Sequence, residues 1–238
     1  IDNKSYNFVV LEDVTVTKAN NDFYFENLDI YEGQLVTYTF NHNQASNPKQ
    51  IFTLPDTNID TTTLKIVVAP SVGNTSTTVY TQVTDVLDVS TTSEVYFLQE
   101  DRNGKFQIYF GNDSIGKSLP DGAVVAATYL LSAGTAANKA NNFVGAATLA
   151  DSLGNSQTNF TVLPVSAAAG GADRESVDSI KYSAIAQFST QNRLITTSDY
   201  DSYLKKNYPA IDSISVWGGE EETPPTYGKV YKIGRAHV

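Results

Sequence analysis

The string Gly111-Asn112-Asp113-Ser114-Ile115-Gly116-Lys117-Ser118 fits the phosphate-loop spacing G-x-x-x-x-G-K-[ST] at every position. In a nucleotide-binding protein that spacing puts the Lys and the Ser or Thr on the first turn of a helix whose amides cradle phosphate. Here Leu119-Pro120-Asp121-Gly122 follows at once, and then Ala123-Val124-Val125-Ala126-Ala127-Thr128-Tyr129. Proline belongs only in the first turn of a helix, and a glycine two residues later before a β-branched run reads as a turn into a strand. Gly111, Gly116, Lys117 and Ser118 are therefore expected to shape a strand-to-strand connection and to bind no cofactor. A nucleotide hydrolase ranks last among the functional classes considered.

The other residues with chemical potential are scattered. His42 lies in a polar turn and His237 near the end of the chain, without the spacing of a metal site or a catalytic triad, and both are expected at a solvated surface. There is no G-x-S-x-G elbow, and the absence of Cys removes thiolate ligands, cysteine nucleophiles and disulfides. Asp101-Arg102-Asn103-Gly104 lacks the further oxygen ligands of a calcium loop and suits a hairpin turn. Glu12, Asp13, Glu26 and Glu32 could supply a glycosidase pair, but spacing selects none of them, and a solvated sheet face explains them better. Glu220-Glu221-Glu222 beside Pro224-Pro225 reads as a solvated loop. Four sequons, at Asn3, Asn74, Asn112 and Asn159, carry little weight without a secretion signal. No catalytic residue and no metal ligand is expected.

The elements that must position these residues are mostly strands. Thr, Val and Tyr alternate in Phe8–Leu11, Val14–Thr17, Phe23–Phe25, Leu35–Phe40 and Leu64–Val68, separated by Asn- and Asp-rich turns, so the first 90 residues read as antiparallel sheet. Glu94–Gln99 and Lys105–Phe110 flank Glu100-Asp101-Arg102-Asn103-Gly104, and the Asn-Gly pair supplies the positive φ of a tight hairpin. Ala123–Leu131 and Phe160–Leu163 are further strands. Residues 132–157, rich in Ala, Asn, Gly and Ser, read as an exposed excursion. After Ala167-Ala168-Ala169-Gly170-Gly171 the period becomes helical. Asp173 is the expected N-cap of a helix with Val177, Ile180, Ala184 and Phe188 on one face. Ser198 is the expected N-cap of a second helix ending at Tyr208-Pro209. Strands Ile211–Trp217 and Tyr227–Ile233 flank the loop at 218–225.

The fold class expected is α+β, predominantly β: antiparallel sheet or sandwich modules followed by a small α+β unit. Residues 1–168 form the β-rich region, with a division expected near 85–92. Residues 169–238 form the α+β unit, joined through a glycine hinge and expected to be truncated or to carry a non-native tail at 232–238. The chain has no Met and is expected to be a piece of a longer protein. Of the net charge of −10, residues 1–100 contribute −9, with four bases against thirteen acids, and residues 101–238 contribute −1, with twelve against thirteen. With no basic cluster, nucleic acid is disfavoured, and partners with basic patches are favoured. No apolar run is long enough for a membrane span.

The run from Ser93 to Lys117, continuing through Leu119-Pro120-Asp121-Gly122 into a strand ending in Tyr129, resembles the baseplate J-like family, and within it the baseplate wedge subunits of contractile-tailed bacteriophages. The likeness continues through Ser132–Asn138, Gly170–Ser176 and Asn192–Tyr200, and reaches back to Ile30-Tyr31-Glu32-Gly33. The resemblance implies a non-enzymatic structural component of the tail baseplate wedge or inner ring that rearranges on tail contraction. It implies self-association, with a homodimer expected, and contacts with other baseplate wedge proteins. It implies no nucleic acid, membrane or small-molecule substrate, a place in the virion tail baseplate, and assembly in the host cytoplasm. The rival reading is a β-rich carbohydrate- or receptor-binding adhesin of a phage tail.

Overall fold

The computed structural model describes residues 4–17, 23–83, 86–146, 149–151, 153–157, 160–190, 193–208 and 211–236. The chain divides into two compact units, Ile1–Ala168 and Ala169–Val238. The first unit is built of strands with short 3-10 turns, and the second is a small α+β unit, so the fold class is the expected one.

In the first unit β1 (Phe8–Val9) and β2 (Tyr31–Glu32) form a short antiparallel ladder. Seven strands follow: β3 (Gln34–Asn41), β4 (Ile51–Thr53), β5 (Ile59–Ala69), β6 (Thr78–Gln82), β7 (Val95–Glu100), β8 (Phe106–Phe110) and β9 (Val124–Leu131). They make one sheet in the order β3-β9-β5-β6-β7-β8-β4. A last ladder joins β10 (Leu149–Ala150) to β11 (Ser156–Gln157). The sheet is not wholly antiparallel as expected, because β6 and β7 run parallel, with Thr81 opposite Val95.

Alternation sorts the strands into two faces. Ile66 and Val68 of β5, Val125, Ala127 and Tyr129 of β9, and Ile108 of β8 turn to one side and are essentially buried. On the other side Thr37 and Thr128 share a hydroxyl hydrogen bond of 2.9 Å. Although β3 and β4 are the two outer strands of the order, Phe40 of β3 and Phe52 of β4 have ring centroids 5.2 Å apart. The sheet is therefore rolled over its buried face until its edges meet through side chains. Phe52, Phe110 and Tyr80 continue the line of rings at 5.8 and 5.5 Å. Each such buried side chain contributes roughly 1.5–3 kcal/mol of hydrophobic stabilisation.

The hairpin expected at 94–110 is present. The Asp101 carboxylate oxygen Oδ1 accepts from the amides of Asn103 and Lys105, both at 2.8 Å, and Gly104 holds φ +78°. Other expectations need correction. Val14–Thr17, Phe23–Phe25 and Phe160–Leu163 form no strand. Residues 132–157 are not simply exposed, since a 3-10 turn at Gly134–Ala137 buries Ala137 and β10 and β11 pair.

The second unit contains α1 (Val177–Thr190), α2 (Thr197–Asn207), and the antiparallel pair β12 (Ile211–Gly218) and β13 (Val230–Ala236). The last strand begins at Val230, three residues later than expected. Both helix starts also differ. α1 opens after Ser176, whose hydroxyl accepts from the Ser179 amide at 3.3 Å, and not after Asp173. α2 is capped by Thr196, two residues before the expected Ser198. Thr196 Oγ1 accepts from the Asp199 amide while Asp199 accepts from the Thr196 amide, a reciprocal capping box. The amide bonds hold the Asp199 carboxyl below the ordinary carboxylate range. α2 packs on β12 and on α1. The expected apolar face of α1 exists as a helix face but is not covered, with Val177 and Phe188 65% and 85% exposed.

Candidate functional site

The phosphate-loop string leaves β8, turns at Gly111–Ser118 and enters β9 by way of Pro120 and Gly122. No helix follows it. Gly111 and Gly116 touch closely: a Cβ at Gly111 would lie 2.1 Å from the Gly116 carbonyl carbon, and Gly116 itself sits at φ +76°. Glycine at both positions lets the two backbone segments cross.

Six successive amides that could have cradled a phosphate all donate within the chain. Asp113 N–H donates to Gly116 O at 2.9 Å, and the Ser114 and Ile115 amides donate to Asn112 Oδ1 at 3.1 and 3.0 Å. The Gly116 and Lys117 amides donate to Ser90 O and Ser93 O at 3.1 and 2.9 Å. The Ser118 amide donates to Asp113 Oδ1 at 2.8 Å, and its hydroxyl to Asp113 Oδ2 at 2.6 Å. The hydroxyl bond and then the amide hold the Asp113 carboxyl below its ordinary range. Lys117 Nζ donates to Glu94 Oε1 at 2.7 Å, and this bond raises the lysine above its ordinary range. Both side chains are well exposed, so this pair is worth at most about 1 kcal/mol. The Asp113 carboxylate thus occupies the anion role that a phosphate would take at Ser118. Chemically, the arrangement ties the loop to the irregular segment before β7 and closes the loop on itself between Asp113 and Ser118.

His42 is the clearest departure from expectation. It is 2% exposed, with its ring against Phe52 at 6.1 Å, and is not a surface residue. Its Nε2–H donates to Gln44 Oε1 at 3.0 Å, while Nδ1 is buried without a hydrogen-bond partner among the described residues. His237 lies outside the described residues. The turn residues Asn41-His42-Asn43 look polar in sequence, but the roll of the sheet places this corner under Phe52. Gln50, at φ +52°, also turns inward, and its Oε1 accepts from the Leu119 amide at 2.7 Å.

The proposed acids are not brought together. Glu32 accepts from Ser132 Oγ and the Ala133 amide, both at 3.0 Å, whereas Glu12, Asp13 and Glu26 lie in exposed irregular chain. Glu222 is half-buried and accepts the Trp217 indole proton, while Glu220 and Glu221 are exposed in a 3-10 turn. No group of three or more His, Cys, Asp or Glu residues able to hold a metal exists among the described residues. Nor is any helix among them long and apolar enough to cross a membrane. A pair that sequence reading missed joins buried Tyr129, whose hydroxyl donates, to half-buried Asp56 at 2.7 Å.

Hydrogen-bonded connections on a rolled sheet are what the described residues show here, and comparison with known proteins finds similarity to structural proteins of a phage baseplate. The family described as baseplate structural protein gp6, C-terminal domain I, matches residues 196–233, from the α2 cap through β12 into β13. The chain is also similar to baseplate wedge protein gp6 of Enterobacteria phage T4, at 26% identity over 231 residues, covering 87% of this chain and 32% of that protein. It spans about a third of the length of that curated relative.

Proposed function

We propose that the chain is a non-enzymatic structural part of a phage tail baseplate wedge. The observation that carries the reading is the similarity to a baseplate wedge protein along 87% of the chain, which takes in sequence from both units. The J-like relationship, residence in the virion tail baseplate and assembly in the host cytoplasm belong to the same reading. So do self-association as a homodimer and contact with other wedge proteins. Gly111, Gly116, Lys117 and Ser118 serve as loop architecture in it, supported by the six amides that donate within the chain. A rearrangement about Gly170-Gly171 belongs to the same reading.

The test is co-expression with the other wedge proteins of the same phage, followed by light scattering across a range of concentrations. The expected result is a dimer alone and a stable higher-mass complex with the wedge proteins. A chain that stays monomeric and is excluded from the wedge, while binding glycans on an array, overturns the reading in favour of the adhesin.

A further inference from the structure

Among the described residues, the outer edge of β3 is open over its middle. Its ladder to β9 runs without interruption from Gln34 opposite Leu131 to Asn41 opposite Val124. On β9 the Leu130 amide turns to Thr63 Oγ1 on β5, and the His42 amide turns to Ala123 O. By the alternation of an antiparallel ladder, Gln34, Val36, Tyr38 and Phe40 bond to β9, while Leu35, Thr37 and Thr39 direct their amides and carbonyls outward. At one end the outward-facing Gly33 amide already has a partner, Asn7 O at 2.9 Å, from the chain entering β1. At the other end β4, only three residues long, comes close through Phe52 and Phe40. Between them Leu35, Thr37, Tyr38 and Thr39 are exposed.

We propose that this edge is a strand-addition site that takes an extended, basic segment of another protein. An open row of backbone donors and acceptors is complementary to extended chain, and side chains alternating with the pleat add contacts. Gln34–Asn41 contains no charge and no proline to block such pairing. The charge around it selects the occupant. Glu32 and Asp60 lie at the Leu35 end, and Asp121 lies near the Asn41 end, bonded to the Gln44 amide. The hydrogen-bond partners of these three acids among the described residues are hydroxyls and amides, with no cation between them. Lys65, on β5 like Asp60 and two strands inward opposite Thr128, offsets Asp60 and leaves Glu32 and Asp121 to set the sign at the two ends. A second copy would bring a further −10 to a region whose first hundred residues already carry −9. A basic segment is attracted to it.

The probe is a seven-residue peptide alternating Thr and Val with lysine at each end, compared with its glutamate-ended counterpart, on the full isotopically labelled chain. The expected result is that the basic peptide slows hydrogen exchange at Leu35, Thr37 and Thr39, leaves Val36 and Tyr38 unchanged, and binds at least tenfold more tightly than the acidic one. Thr37→Pro removes an outward donor at an edge that tolerates proline and is expected to abolish binding. Thr37→Lys keeps the backbone donor and is expected to reverse the preference between the peptides, a readout that stands even where the proline variant misfolds. Protection without peptide that grows with protein concentration overturns the proposal in favour of a second copy. Concentration-independent protection overturns it in favour of the chain's own residues, and equal binding of both peptides overturns the choice of a basic occupant.

Discussion

Tyr129 is fully buried, and its hydroxyl donates to Asp56 Oδ2. Burial first, and then this bond, push the Tyr129 hydroxyl well above the ordinary tyrosine range, and burial also raises Tyr96 and Tyr80. The folded state therefore keeps these protons where the unfolded chain would release them. The stabilisation is complete below the ordinary tyrosine value of 10.0 and is lost as pH rises from there towards the folded values. Thermal melts from pH 8 to 11 should show stability falling steeply above about 10, a fall that Tyr129→Phe makes shallower. At pH 7 the same variant should lose about 1–2 kcal/mol, since the bond to the carboxylate goes while the ring stays packed. Nothing local in the sequence pairs Tyr129 with Asp56, 73 positions apart. His42 escaped for a similar reason: its neighbours are polar, and only the rolled sheet brings Phe52 over it.

The connection from β8 to β9 is an element held by its own amides. Gly111→Ala would drive a methyl into the Gly116 carbonyl, and because the obstacle is backbone, the loop itself must move. A loss of about 1–3 kcal/mol is expected in denaturant unfolding, with faster exchange at Lys117 and Ser118. No thermal shift with Mg-ATP is expected for wild type or for Lys117→Ala. Elements with local signals were legible in the sequence: the Asn103-Gly104 hairpin, the β9 run after Gly122, and both helices. Those whose identity depends on distant partners were not. β4 is three residues long and is set by pairing with β8, which arrives much later in the chain. Val14-Thr15-Val16-Thr17 alternates like a strand, yet finds no ladder partner and remains irregular. The caps moved because Ser176 stands nearer the start of α1 than Asp173 and because Ser198 already lies inside α2, and hydroxyl-to-amide geometry decides each start.

At the scale of the molecule, Ile1–Ala168 holds the seven-stranded sheet and its buried face, while Ala169–Val238 has its own helices and strand pair. A fragment of residues 1–168 is expected to fold alone, with a single cooperative melt and the alkaline sensitivity of the intact chain. Loss of dispersed amide signals from β3, β5 and β9 in that fragment would show that the sheet needs the second unit. The functional class was legible through several ordered motifs spread along the chain, whereas no single motif would have carried it.

The position of β3 beside β9 also sets an order of events during synthesis. Thr37 meets Thr128 across 91 positions, so β3 cannot find its partner until most of the first unit has been made. The hairpin of β7 and β8 and the pairing of β5 with β6 need only nearby chain and are available much earlier. Sheets closed by such distant contacts fold slowly, because the loop must be closed before any contact rewards it. At about 5–20 residues per second, β3 waits for several seconds on the ribosome as an uncharged strand without a neighbour. That interval, more than the finished fold, is when this chain is exposed to mispairing with another nascent copy.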